Sequence, residues 1–534
     1  MSYENAVLVE DESSSMEQAA AGLVGLSLLS MILGWTTLFQ WTSATETLFG
    51  VALFDLFGVA LTLNGLGIVA LGAVSAAGMA ETTPSDSAGL VTGALFGLVG
   101  LAAGGLVASQ TLGLGLVGWV VVALLTGLGV AAVTVLPRED VGSTLPTGAL
   151  SALVGLLVLG GVFTPGWAWS PNDFSATFGG DVVVPLLVVF VGLVSAWGAA
   201  KAHEGFGTRG RQTGAYLLIG MTAIAMLAVL LLLIGQVLKN GWGPLTQKVK
   251  FGLFTEPVVW FHMPVLDEYV ILEAPGVWFH WPFTMTGQTL GEETVNGVAP
   301  AIAGTFWLVL GAVVFSVPLG VGAAVFLTEY SANEAFTSAV EIATNGLWST
   351  PSIVYGLFGY AFLVPRLGNQ STLLAGQLVL GFMMLPLVLI TSYEAIKTVP
   401  DEYRDASAAL GVTKWETIKS VVLPAAMPGI ITGTILGVGR IAGETAPIML
   451  VATINNVPAP KVLGSFQFTT GAPFVENTAL LRSINALPYE VYSNITQGET
   501  AHAWGTALML LIVVLSFYAV GISMRIYFRR KLQQ

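Results

Sequence analysis

Runs of about twenty apolar residues recur along almost the whole chain, and a run of that length is what an α-helix needs to cross the hydrocarbon core of a bilayer. They lie near 19–40, 50–78, 88–109, 113–136, 148–165, 182–200, 215–238, 300–328, 343–364, 371–395, 427–454 and 503–526. The expected fold class is therefore an all-α integral membrane protein with about twelve transmembrane helices. The run at 50–78 is long enough to be kinked or divided. Charge is correspondingly scarce: 10% of residues are charged and 54% hydrophobic, whereas a soluble globular chain carries about 25% charged residues.

The same sequence excludes several chemistries. With no cysteine there are no disulfides, zinc-thiolate sites or thiol nucleophiles. The dipeptide Gly-Lys is absent, so there is no phosphate-cradling loop of the Gly-x-x-x-x-Gly-Lys-Ser/Thr kind, and any ATPase must be a separate subunit. No basic stripe suggests nucleic acid, and no cofactor is called for. The start is acidic (Glu4, Glu10, Asp11, Glu12, Glu17), unlike the basic start of a secretory signal, so the first apolar run is read as a retained span. The net charge of −13 fits either loops kept soluble by carboxylates or adaptation to high salt, where charge repulsion is screened.

Lysine and arginine set the orientation. With both termini cytoplasmic, Arg138, Lys201, Arg209, Arg211, Lys397, Arg404, Lys414, Lys419 and the basic C-terminus fall inside. Lys239, Lys248, Lys250, Arg366, Lys461 and Arg482 fall outside, and Arg440 lies within a span. The sequons at Asn369 and Asn494 also land outside. The polar stretch 201–213 divides a glycine-rich six-span region, 1–200, from a second region, 214–534, that carries every motif below. Glycine at that density favours close helix packing.

The informative loop runs from Thr398 to Gly429. Tyr403, Ala406 and Leu410, then Trp415, Ile418 and Val422, recur at helical spacing. Gly411 separates the two helical pieces, and Pro424 and Pro428 introduce the next span. Taken alone, this is either a compact knob or an amphipathic connector on the membrane surface. The spacing Asp405-Ala406-Ser407, Gly411, then Val421, Leu423 and Pro424 resembles the EAA motif of ABC importer permeases, with Asp for Glu, Ser for Ala and Val for Ile. The resemblance implies a type I importer (MetI-like) core in the C-terminal six spans. It also implies that Asp405, Ala406, Ser407, Gly411, Leu423 and Pro424 dock into an ATPase subunit and transmit its movement.

GVGRIAGETAPIMLVATINN (437–456), GVAPAIAGT (297–305), PLGVGAAVFLTEY (318–330), STPSIVYGLFG (349–359) and ALPYEVY (486–492) are similar, in order and spacing, to the PstA family of phosphate-importer permeases. The similarity spans roughly 215–534. It implies a sister permease of the PstC type, an ATPase dimer and an extracellular phosphate-binding protein as partners, with the path lined at Arg440, Glu444 and Thr445. Arg440 and Glu444, four apart, are expected on one face of a single helix. They form either an ion pair locking the bundle or a docking point for a passing oxyanion. Relatives often carry an arginine in the preceding span where this chain has Ile390, which would leave the path one cation short. A permease for another oxyanion such as molybdate, the PstC role, and an integral membrane enzyme are the competing readings.

The external segment 256–284 holds a duplication, Val259–Pro264 and Val277–Pro282. This is compatible with a hairpin whose aromatics sit at headgroup level. His262 and His280, with Asp267, Glu268 and Glu273, offer no specific metal-ligand spacing.

Overall fold

The computed structural model describes residues 14–48, 50–171, 175–252, 256–263, 268–274, 278–285, 297–455, 457–471 and 474–531. Glu4, Glu10, Asp11, Glu12 and Asp267 lie outside them. The chain divides into two compact units, 1–236 and 237–534.

The first unit is built from α1 (Ser15–Leu38), α2 (Leu53–Ala76), α3 (Leu90–Leu106), α4 (Leu116–Val135), α5 (Glu139–Leu159), α6 (Gly180–His203) and most of α7 (Gly207–Thr246). Ser14 and Glu17 close a reciprocal capping box at the start of α1. The long run at 50–78 resolves into one undivided helix, α2. Glycine sets the packing as expected. A methyl group at Gly65 would collide with the backbone of Gly148 and Ala152, and one at Gly155 with the backbone of Gly58 and Thr62, so α2 and α5 approach through small residues.

Helix α5 begins nine residues before the apolar run at 148–165 because its acidic start is neutralised locally. Glu139 accepts backbone N–H groups from Ser85 and Gly207, both at 3.0 Å. Asp140 takes the Ser75 hydroxyl at 2.9 Å and pairs with Arg138. The polar stretch 201–213 is itself largely helical, and Lys201 is buried in the last turn of α6. Its Nζ donates to Thr92 (3.3 Å) and Ser143 (3.4 Å) and sits 4.1 Å from the centroid of the Trp197 ring.

The second unit carries α8 (Pro282–Met285), α9 (Ala299–Val325), α10 (Glu334–Ser349), α11 (Ser352–Phe358), α12 (Leu373–Lys397), α13 (Asp401–Ala409), α14 (Lys414–Thr417), α15 (Leu423–Ala442), α16 (Ala446–Val451), α17 (Leu487–Thr496) and α18 (Thr500–Lys531). Its core joins Leu308, Val309 and Ala312 of α9 to Leu380, Met383 and Val388 of α12 and to Ile441, Ile448 and Val451.

Among the described residues, eleven helices are long and apolar enough to span a bilayer, or twelve if one bent pair counts as a span. That pair replaces the straight span expected near 343–364. Segments 334–349 and 352–366 meet at 96°. Pro351 explains the break, since it lacks an N–H and disfavours helical backbone at Thr350 before it. The expected span at 427–454 is displaced toward the N-terminus: the helix stops at Ala442, and the separate short helix α16 follows.

The duplicated segment does not fold as a hairpin of its two copies. Strand Glu256–Met263 pairs antiparallel with Glu268–Ala274, while Trp278–His280 pairs with Lys250–Gly252. The side chains of His262, Glu268, Glu273 and His280 lie outside the description.

Candidate functional site

Helix α12 ends at Lys397, and Pro400 starts α13, whose first turn holds Asp401 and Glu402. Carboxylates there favour the positive end of the helix dipole. Gly411 then reverses the chain at φ +74°, a left-handed conformation that costs an L-residue with a Cβ about 1–2 kcal/mol. Thr413 caps α14 through the Glu416 N–H. Beyond α14 the chain stays helical: a π turn, Ile418–Val422, leads directly into α15, so Lys414–Ala442 form one candidate span. Pro424 has no N–H to offer the carbonyl four residues back, and the widened turn lies immediately before it.

The knob is therefore one short helix folded against the foot of a long one. Ser407 and Thr417, both buried, share a hydroxyl–hydroxyl bond of 2.7 Å across the turn. Ile418 and Val422 pack with Ala324 and Val325 of α9 and with Ile396 and Val399 at the end of α12. The other apolar stripe faces out: Tyr403 is 52%, Leu410 83% and Trp415 57% exposed. Asp405, Ala406 and Gly411 share this exposed side, whereas Ser407 points inward and Leu423 and Pro424 lie half-buried at the base. A crest of large apolar side chains on a polar loop is a surface of the kind that a protein partner or a membrane covers.

The sequence reading missed what fastens the knob. Arg404 donates from Nε and Nη2 to Oε1 of Glu329 (3.1 and 2.9 Å). Its remaining N–H groups reach the carbonyls of Val399 (2.7 Å) and Ile396 (3.3 Å) and the Asp401 carboxylate (3.1 Å). All five guanidinium donors thus have acceptors. Lys414 donates to the Glu329 carbonyl and stands over the Tyr330 ring. Glu329 follows α9 by only four residues, so the clamp joins the knob to the ends of α9 and α12. An acidic residue closing one apolar run and an arginine inside a later loop are too far apart in sequence to be matched by spacing.

The path residues are arranged differently from expectation. Arg440 lies two residues before the end of α15, and Gly443 ends that helix, so Glu444 and Thr445 belong to the turn into α16. The two charges do not share a helix face, and among the described residues no ion pair joins them. The Arg440 guanidinium sits 4.1 Å from the centroid of the Trp348 ring, at the break in the bent pair. Glu444 instead lines a void of about 10 Å³ with Thr305, Leu308, Leu380 and Pro488, room for roughly one water.

Residues 316–534 match the family described as the binding-protein-dependent transport system inner membrane component. Over 228 residues the chain is 35% identical to the probable ABC transporter permease protein YqgI of Bacillus subtilis (strain 168), covering 42% of this chain and 75% of that protein. It is 35% identical over 245 residues to the phosphate transport system permease protein PstA 1 of Mycobacterium tuberculosis (strain CDC 1551 / Oshkosh), covering 45% and 75%. The PstA protein of Yersinia pestis is 34% identical over 240 residues, covering 44% and 74%. The chain belongs to the family of binding-protein-dependent ABC importer permeases, has the PstA proteins among its relatives, and carries an additional multi-span region ahead of the matched core.

Proposed function

We propose that this chain is the permease subunit of an ATP-driven phosphate importer. It would share the translocation path with a sister permease of the PstC type, receive orthophosphate from an extracellular binding protein, and be driven by a separate ATPase pair. The observation that carries this reading is the knob: an exposed apolar crest clamped to the feet of two spanning helices, in a chain whose relatives include phosphate permeases. A partner gripping Tyr403, Leu410 and Trp415 moves α9 and α12 together. Arg440 at the break of the bent pair supplies a cation at bundle depth. Its contact with Trp348 holds the charge by a ring face rather than a carboxylate, leaving N–H donors for a passing oxyanion.

Replacing Leu410 and Trp415 with Asp should abolish co-purification of the ATPase and ATP-dependent accumulation while the chain still inserts. Retained docking and uptake would remove the coupling role. In vesicles holding the intact importer, phosphate should compete with labelled phosphate and molybdate should not. The reverse outcome assigns another oxyanion.

A further inference from the structure

At the end of α12 opposite the knob, the loops around 454–484 line a half-open cavity of about 570 Å³. Its walls are fixed by the backbone. Leu373 and Leu374 N–H groups in the first turn of α12 donate to the carbonyls of Arg482 and Leu480 (both 2.9 Å). Ile454 and Ile484 exchange strand-like bonds with the chain beside them: Ile454 N–H to the Ile484 carbonyl at 2.9 Å and Ile484 N–H to the Ala452 carbonyl at 3.0 Å. Ser483 donates to the Ser371 carbonyl and Ser465 to that of Lys461. Val462, Ala479 and Ile484 anchor these segments in the core of the second unit.

The lining is one-signed. Lys461 and Arg482 face the cavity with the amide of Gln370 and the hydroxyl of Thr478, and no carboxylate is among the lining residues. This is notable in a chain with 32 acidic and 19 basic residues. Neither cation has an ion-pair partner among the described residues, and there the Thr478 hydroxyl and Gln370 amide have no hydrogen-bond partner either. Two cations, both exposed and without an ion-pair partner, and two neutral donors lining one half-open space without a carboxylate suit a small oxyanion. The volume is many times the roughly 30 Å³ share of one water, so the anion is held with part of its hydration shell. Such a site binds weakly enough to release its ligand inward.

We propose that this cavity is an oxyanion-capture basin at the mouth of the permease, distinct from Arg440 and placed to hold the anion before it enters the helical bundle. For the identity of the anion as phosphate it rests on the function proposed above. The test uses the full-length chain in lipid nanodiscs and radiolabelled orthophosphate. Saturable binding should weaken about tenfold or more when Lys461→Gln and Arg482→Gln are combined, since each removes a charge-assisted bond. The charge-preserving pair Lys461→Arg with Arg482→Lys should keep it. Binding of neither orthophosphate nor molybdate by the parent chain, or equal binding by the glutamine pair, overturns the basin. The same variants in the assembled importer separate the two claims. Phosphate uptake at the parent rate in the glutamine pair overturns the basin and leaves the phosphate reading intact. An importer that takes molybdate instead of phosphate, slowed by the glutamine pair, overturns the phosphate reading and upholds the basin.

Discussion

Arg404 and Glu329 show how much of this molecule depends on single side chains outside the recognised motif. Glu329 is nearly buried and receives two of the five bonds made by Arg404. Its loss would leave the guanidinium held among carbonyls with the exposed Asp401 carboxylate as its remaining counter-charge. Removing one partner of a buried pair costs about 3–5 kcal/mol, and the higher exposure of Arg404 puts this pair at the lower end of that range. Arg404→Met and Glu329→Gln should each lower the thermal stability of the purified chain. The double variant should be less destabilised than the sum, with a coupling of at least about 1 kcal/mol. Additive losses in denaturation measurements would show that the two side chains act independently. Ser407 illustrates the same point. The motif resemblance groups it with Asp405 and Ala406, and its hydroxyl is turned to Thr417 across the turn of the knob.

Among the elements, α12 and α15 pack through a stripe of small residues. A Cβ added at Gly429, Gly433 or Gly437 would run into Ala395, Thr391 or Met384 respectively. Gly433→Leu should therefore force the helices apart, destabilise the chain by about 1–3 kcal/mol and reduce transport. Gly443→Ala, where the added methyl meets open space, should leave melting nearly unchanged. Comparing the two melts checks this. These elements also show what the sequence could reveal. Apolar length alone located α1, α2, α6, α9, α12 and α18, because lipid demands such runs and little else produces them. The glycine at 411 was legible because only a turn explains it. The early start of α5 was hidden because Glu139 and Asp140 depress local hydropathy, and their hydrogen-bond partners Ser85, Gly207 and Ser75 lie far away in sequence. The break at Pro351 and the stop at Gly443 were masked by apolar neighbours that keep the running hydropathy high. The separation of Arg440 from Glu444 follows from that stop.

For the whole molecule, the absence of cysteine makes orientation directly measurable. Ser465→Cys beside the cavity and Glu416→Cys on the knob each introduce the chain's sole thiol. A membrane-impermeant maleimide added to intact cells should label the first and spare the second until the membrane is opened. Labelling in the opposite pattern would invert the orientation expected from the lysine and arginine distribution. The same pair reports on the division of labour along α12, a helix of 25 residues and so about 37 Å long at 1.5 Å per residue. The proposed anion capture lies at its beginning and the proposed ATPase coupling at its end.

The grip of Arg404 on Glu329, Ile396 and Val399 has a mechanical consequence. A handle attached to one stave can swing on its own, but one bolted across two must turn them as a pair. Under the coupling proposed above, force arriving at Leu410 and Trp415 would be converted into torque on the bundle instead of being lost as slack in a connecting strand. The far tips of α9 and α12, which abut Leu487 through Thr305 and the Arg482 carbonyl through Leu373, would then shift with the handle.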